Sequence, residues 1–451
     1  MKKRFKALSM IFIMTVVCVF APFGASAQTD TARYSLPFDL NVASYLVVSL
    51  DTGEVIFEKD AHQQRTPASL TKMMTSYIAL KYVDDLDGTT VTCSTRHTDE
   101  LFGMNSSTAD IWPGETVSMR SLIYAMMLPS GNEAANMVAD SIGNGSKSNF
   151  YMIMNTEAKR LGCTDTNFSN PHGLFSDNHY TTAWDMYRIA KACYETPGFM
   201  EIATTGTYNM PPAAKHPNGY MIESTIYMQR KSFPTYYRSY VKGMKTGSLP
   251  EAKHNFVSVC EKDGERYICV VMGAEYTDMN GEEIKLPAFV ATAQIMDYFF
   301  EEYSLKPANN LEAPVTEVEL KYVKDTDNLL LYPKSEVYSV LPNNVDESSF
   351  QKVFSLPESV SAPVAAGDVI GTVSYYIAGD LVGTTDLVCA ESYERDFVIF
   401  LVEKITEALG SLYFRVVVVV TVLVFVSLAV YLNYARKKAE KMQKIHRRTK
   451  R

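Results

Sequence analysis

The chain has 451 residues, enough for two domains, and carries 43 Lys and Arg against 51 Asp and Glu, a formal charge of −8. Basic residues crowd its two ends, so the stretch between them is far more acidic than that total; such a surface argues against nucleic acid and against lying on anionic lipid. The cysteines show no CxxC or other ligand-like spacing, so no metal framework is expected.

The chain opens Met1-Lys2-Lys3-Arg4-Phe5-Lys6, runs apolar to about Phe20 and reaches Ala25-Ser26-Ala27. A basic start, a short apolar core and an A-x-A end predict a secretory signal peptide over 1–27, cleaved after Ala27. Ser44–Leu50, the Asp51-Thr-Gly-Glu turn and Val55-Ile-Phe read as a β-hairpin. In Thr66-Pro67-Ala68-Ser69-Leu70-Thr71-Lys72, Thr66 suits a helix cap and Pro67 the first helical position. Leu70, Met73, Met74, Tyr77 and Ile78 then form a core-facing stripe at helical spacing. Ser69 and Lys72 stand three apart on one face, a hydroxyl beside an amine at the positive end of a helix.

A buried helix over Ser121–Leu128 stops at Pro129-Ser130-Gly131-Asn132, and a second follows over Glu133–Asp140. Ser130-x-Asn132 therefore occupies a tight link between helices. Helices are also expected over Asn149–Leu161, Thr181–Thr196 and Phe289–Tyr303, with a loop over Asn167–His179 between the first two. Residues 207–240 give no clear pattern. Lys242-Gly-Met-Lys245-Thr246-Gly247 leads into two apolar strands joined at Asp263-Gly264, a turn that pairs Cys260 with Tyr267. The cysteines beyond the leader can be bridged outside the cell or remain buried thiols.

Short alternating runs with turn signals, from Val315 to Val388, predict a small β-sandwich. Ser392–Leu409 is amphipathic. Val416–Leu432 is uncharged and, with Leu412-Tyr413-Phe414, long enough to span a bilayer. Nine Lys and Arg follow between Arg436 and Arg451 against the single acid Glu440, so the positive-inside rule keeps this tail in the cytoplasm and the rest outside. The expected layout is a signal peptide (1–27), a catalytic domain (28–305), a β domain (312–394), an amphipathic linker helix (395–412), a transmembrane helix (413–434) and a basic tail (435–451).

Three weak motifs thus occur in order: Ser69-x-x-Lys72 at a helix start, Ser130-Gly-Asn132 between helices and Lys245-Thr-Gly247 at a strand edge. Together they are the signature of penicillin-binding proteins and class A β-lactamases. Two decoys are set aside. Ser239-x-x-Lys242 has no apolar helical stripe behind it, and Ser176-Asp177-Asn178 lies in a loop rather than between helices. His172 and His179 have no carboxylate or Cys partner at ligand spacing and read as braces of the site wall rather than a metal site. No metal or cofactor is expected.

With Gly114-Glu115, Met126-Met-Leu-Pro-Ser-Gly-Asn-Glu-Ala-Ala, Asn170-Pro-His-Gly-Leu, His179-Tyr-Thr-Thr-Ala-Trp-Asp-Met and Pro363-Val-Ala-Ala-Gly-Asp-Val, the chain resembles the serine-type D-Ala-D-Ala carboxypeptidases over roughly 35–400. These are low-molecular-mass penicillin-binding proteins, peptidase family S11. The resemblance implies an α/β (α+β) penicillin-binding/β-lactamase-like transpeptidase domain, then the all-β sandwich and the transmembrane helix. It implies a peptidoglycan stem peptide ending in D-Ala-D-Ala as substrate and β-lactam antibiotics as ligands. Lys242 stands where the family usually has an acidic or small residue.

Residue chemistry and the resemblance agree on roles. Ser69 is the nucleophile, Lys72 takes its proton only when neutral, and Ser130 relays a proton to the leaving amine. Asn132 binds a substrate amide, Lys245 and Thr246 hold the terminal carboxylate, and Gly247 lets substrate approach the strand. The N–H groups of Ser69 and Ser248 form the oxyanion hole, the latter by resemblance alone. The rival readings are a β-lactamase and a non-catalytic or weakly active peptidoglycan-binding relative.

Overall fold

The structure is a computed structural model that describes residues 31–104 and 106–448. The signal peptide expected over 1–27 lies outside the described residues. The chain divides into two compact units, one formed by residues up to 306 with 338–346, the other by 307–337 and 347 onward.

The first unit is built on a five-stranded antiparallel sheet, in the order Val55–Lys59, Val42–Ser49, Glu265–Ala274, Lys253–Lys262, Val241–Leu249. Alternate residues of its strands feed two cores. Phe57, Phe256, Tyr267 and Val271 meet Phe289, Met296 and Phe299 of the helix Pro287–Glu302. Leu46, Val257, Val259 and Val270 point to the opposite face, into a larger cluster with the remaining helices. Cys260 faces Tyr267 across the hairpin; Asp263 and Gly264 both have positive φ, 53° and 90°, as a two-residue turn of this hand requires.

The helix Thr71–Tyr82 runs through the middle of the helical layer. Every residue from Thr71 to Ala79 is buried, so the apolar stripe read from the sequence is only part of a helix enclosed on all sides. Its start also differs from expectation. A single 3-10 turn, Ala68–Leu70, precedes it, and no side chain caps either segment. Thr66 contributes its backbone carbonyl, which accepts from Asn255 Nδ2 at 3.0 Å.

Around this helix stand Met119–Met127, Asn132–Ile142, Lys147–Arg160 and Ala183–Glu195, close to their expected bounds. Residues 207–240 hold a small hairpin, Thr207–Met210 with Tyr220–Glu223, and a 3-10 turn, Tyr227–Gln229. All six cysteines among the described residues are free and buried.

The strand Tyr338–Pro342 departs from the sequence grouping. It pairs with Tyr303–Pro307 and clusters with the first unit, because Glu54 accepts from Ser339 Oγ and Val340 N–H and because Val340 is buried in the core beside the Pro287–Glu302 helix.

The second unit contains the β domain, a six-stranded sheet in the order Gln351–Ser355, Val369–Ile377, Asp380–Cys389, Asn328–Pro333, Thr316–Lys321, Ser359–Ser361, antiparallel except for the last pair. Asp396 caps the helix Phe397–Gly410 through the N–H groups of Val398 and Ile399. After Ser411 a second helix, Leu412–Arg448, is long and apolar enough over Leu412–Met442 to cross a membrane.

Candidate active site

Lys72 is the hub. Its side chain is fully buried, and Nζ stands 3.1 Å from Ser69 Oγ, 2.6 Å from Asn132 Oδ1 and 2.7 Å from the His172 carbonyl oxygen. Two of those oxygens can only accept, whereas the serine hydroxyl can also donate. A neutral amine has two N–H bonds and one lone pair. Giving the N–H bonds to Asn132 and His172 leaves the lone pair for the Ser69 proton. Burial, reinforced by the like charge of Lys245, holds the Lys72 pKa well below its usual value, while Glu133 acts in the opposite sense.

Three elements place these groups. The 3-10 turn carries Ser69 just ahead of the helix that bears Lys72. The helix Met119–Met127 ends at Leu128, and Ser130 then takes a left-handed backbone (φ 69°) to redirect the chain into the next helix, where Asn132 is the first residue. Ser130 Oγ is buried and has no hydrogen-bond partner among the described residues. A hydroxyl left unpaired at such a cost is available to a substrate.

The third element is the strand Val241–Leu249, at the edge of the sheet. Lys245 is fully buried and burial brings its pKa down to about 7; Nζ donates to the Thr246 carbonyl at 3.2 Å. Thr246 Oγ1 meets Thr225 Oγ1 at 2.9 Å. Gly247 packs onto the Ser69 turn: a Cβ there would stand 2.9 Å from the Pro67 oxygen and 3.2 Å from the Ser69 nitrogen. Ser248 is exposed, and its hydroxyl pairs with Tyr276 Oη at 2.7 Å.

Ser69 and Asn132 thus both contact Lys72, Gly247 touches the Ser69 turn, and Lys245 acts on Lys72 through its charge. Thr246, Ser130 and Ser248 make none of these direct contacts. The decoys lie elsewhere in character: Ser239, Asp177 and Asn178 are exposed, and Lys242 Nζ bonds the Ser239 carbonyl.

One residue that holds the site was not picked out from the sequence. Asn255, fully buried in the neighbouring strand, donates to the Thr66 and Pro67 carbonyls at 3.0 and 3.1 Å and accepts from the Gly273 N–H at 2.7 Å. A buried Asn amid apolar strand residues was the available signal. His179 does brace the wall. Nδ1 accepts from the Ser169 N–H, which leaves Nε2 to donate to Thr71 Oγ1 at 2.7 Å, and that hydroxyl donates to the Ala68 carbonyl. Burial drops the His179 pKa to about 3, so the ring is neutral. His172 meets Lys72 through its carbonyl oxygen, a contact that composition cannot reveal.

The geometry has counterparts. A family described as D-alanyl-D-alanine carboxypeptidase matches residues 28–276, and one described as the C-terminal domain of penicillin-binding protein 5 matches 300–395. The chain is similar to D-alanyl-D-alanine carboxypeptidase DacF of Bacillus subtilis, 26% identical over 401 residues that cover 88% of this chain and 97% of the relative. DacA of Escherichia coli is likewise 26% identical, over 394 residues, 85% of this chain and 92% of its own.

Among solved structures, penicillin-binding protein 5 of Haemophilus influenzae shares the fold at a TM-score of 0.59 and 24% identity, over 80% of this chain and 99% of that one. The Streptomyces K15 DD-transpeptidase matches at 0.52 and 28%, over 58% of this chain and 98% of its own. With one family match spanning more than half of its residues and a second covering its β domain, this chain belongs to the D-alanyl-D-alanine carboxypeptidase family of penicillin-binding proteins.

Proposed function

We propose that the protein is a membrane-anchored serine carboxypeptidase that removes the terminal D-Ala from peptidoglycan stem pentapeptides and is acylated by β-lactams. The observation that carries this reading is the set of contacts at Lys72 Nζ, two to obligate acceptors and one to the Ser69 hydroxyl. Ser69 Oγ attacks the carbonyl carbon of the penultimate D-Ala while its proton passes to Lys72. The oxyanion takes the N–H groups of Ser69 and Ser248. On collapse the peptide C–N bond breaks, and the leaving D-Ala nitrogen receives the proton from Lys72 through Ser130. Water then hydrolyses the ester and frees Ser69. Asn132 orients the substrate amide, and Lys245 with Thr246 binds the terminal carboxylate, which favours carboxypeptidase over endopeptidase action. Gly247 keeps the strand edge open to the substrate backbone.

In the proposed layout the catalytic domain spans 28–305, the β domain 312–394, a linker helix 395–412 and the membrane helix 413–434, with 435–451 as a cytoplasmic tail. The apolar helix and the basic residues after it support that topology. The test is D-alanine release from a peptide ending in Lys-D-Ala-D-Ala, with residues 28–410 and the S69A variant side by side. Release by the native sequence alone is expected. Release by both would remove Ser69 from the mechanism, and release by neither, with penicillin labelling intact, would favour a binding role.

A further inference from the structure

Glu133 takes no part in the steps above, yet it is buried in the first turn of the helix that begins at Asn132. Its contacts converge on one oxygen. Oε1 accepts from the Ala109 N–H at 2.6 Å, from Thr108 Oγ1 at 2.8 Å and from the Ile111 N–H at 3.3 Å. Oε2 is buried with no partner among the described residues.

The segment gripped in this way grips back. The Ser107 carbonyl accepts the Asn132 N–H at 3.0 Å. Gly131 lies so close that a Cβ on it would stand 2.8 Å from the Ala109 Cβ and 3.0 Å from the Ala109 nitrogen. Three successive residues, 131, 132 and 133, are therefore fastened to residues 107–111, and the middle one presents Oδ1 to Lys72 Nζ at 2.6 Å.

Burying a carboxyl group is costly, and a loop can be held against a helix by apolar packing at no such cost. What the side-chain oxygen adds is three hydrogen bonds converging on one point, which fix direction as well as distance where apolar packing fixes neither. That constraint falls where a small displacement matters most. If Asn132 Oδ1 moved away, the amine would lose an acceptor, and its lone pair would no longer be fixed on Ser69.

We infer that Glu133 is a positioning residue for the reaction: it anchors residues 107–111, and through the Ser107–Asn132 bond it fixes the Asn132 amide on Lys72. The inference rests on the reading of Lys72 as the base that activates Ser69.

The test compares wild type with E133Q, E133A and T108V, by penicillin acylation rate and by amide hydrogen exchange over 107–111. E133A leaves three donors without an acceptor and is expected to slow acylation about tenfold to a hundredfold, with faster exchange at Ala109 and Ile111. E133Q keeps an acceptor oxygen in place and is expected to recover to within about fivefold of wild type, a rescue that mere filling of space would not give. Thr108 is exposed, so T108V folds even if E133A does not; it is expected to lose about threefold and to speed exchange at Ala109. Wild-type rates in folded E133A, E133Q as slow as E133A, or unchanged rate and exchange in T108V would each overturn the inference. Failure of wild type itself to be acylated would instead bring down the assignment of Lys72, and this inference with it.

Discussion

Gly173 and Ala68 meet backbone to backbone: a Cβ on Gly173 would stand 1.8 Å from the Ala68 carbonyl oxygen and 2.9 Å from Thr71 Oγ1. Gly173 also has φ +92°, a conformation that costs any other residue. Its neighbour His172 supplies a carbonyl to Lys72, and Ala68 precedes Ser69, so this contact sets the spacing between loop and turn. The variant G173A is expected to lose about 2 kcal/mol or more of stability and at least about a hundredfold in acylation rate. Thermal unfolding and labelling with a fluorescent penicillin would measure both; a folded, normally labelled variant would show that the loop tolerates retreat.

The motif residues were legible because each carries its chemistry in its own side chain and in local spacing. Ser69 and Lys72 share a helical face whatever surrounds them, and Ser130-Gly-Asn132 announces a link between helices. What the sequence could not show lies in non-local backbone geometry. Nothing local says that the His172 carbonyl, rather than its ring, would face Lys72, or that Asn255 would reach the carbonyls of Thr66 and Pro67. The expected Thr66 cap failed for a similar reason. Local preference suggested an isolated helix start, whereas Asn255 and the close approach of Gly247 hold this one by tertiary contact. The strand Tyr338–Pro342 reads locally like its neighbours in the β domain, and only its pairing with Tyr303–Pro307 assigns it elsewhere.

Lys245 makes activity and stability pull in opposite directions. Its folded pKa is about 7 against the usual 10.5, so between those values the unfolded chain binds more protons than the folded one. Stability therefore rises with pH through that window, and the burial cost is fully present below it. K245M is expected to be more stable than wild type at pH 6 by the order of 2 kcal/mol, to lose that pH dependence and to release no D-alanine.

The same variant tests the coupling to Lys72. The groups whose charge bears on Lys72 are Lys245 and Glu133, while burial lowers the pKa of the neighbouring His172 and His179. Removing the Lys245 charge lets Lys72 keep its proton to higher pH, so the acidic limb of residual acylation should move upward. A limb that stays in place, or moves down, would show that Lys245 does not tune the base.

Asn255 offers a direct measure of what anchors the Ser69 turn. N255A removes the Asn255 donor from the Thr66 and Pro67 carbonyls, the second of which keeps the Leu70 N–H, and leaves the Gly273 N–H without its acceptor. An unpaired polar group costs about 1–3 kcal/mol when buried, and with two partly buried groups orphaned a drop in unfolding free energy of about 2 kcal/mol is expected, together with slower acylation. N255D keeps the acceptor for Gly273 and loses both donors, so it should fall as far as N255A in acylation rate. Equal rates in all three proteins would mean that the Ser69 turn is held by Gly247 packing alone.

The anchor makes the last prediction. The apolar helix Leu412–Met442 leads into a tail dense in Lys and Arg, and translocating those charges is disfavoured. The catalytic unit and the β domain should therefore stand outside the cell while a tag fused after Arg451 stays inside. Protease added to intact protoplasts is expected to remove everything before Val416 and to leave a small tagged fragment in the membrane; detergent should then expose the tag. Replacing the nine basic residues between Arg436 and Arg451 by Gln removes the charge asymmetry and should make the orientation mixed, with part of the tag cleaved without detergent. A catalytic unit protected in intact protoplasts would reverse the topology. It would also separate the site from any substrate on the outer face, so the proposed activity and the proposed orientation stand or fall in one experiment.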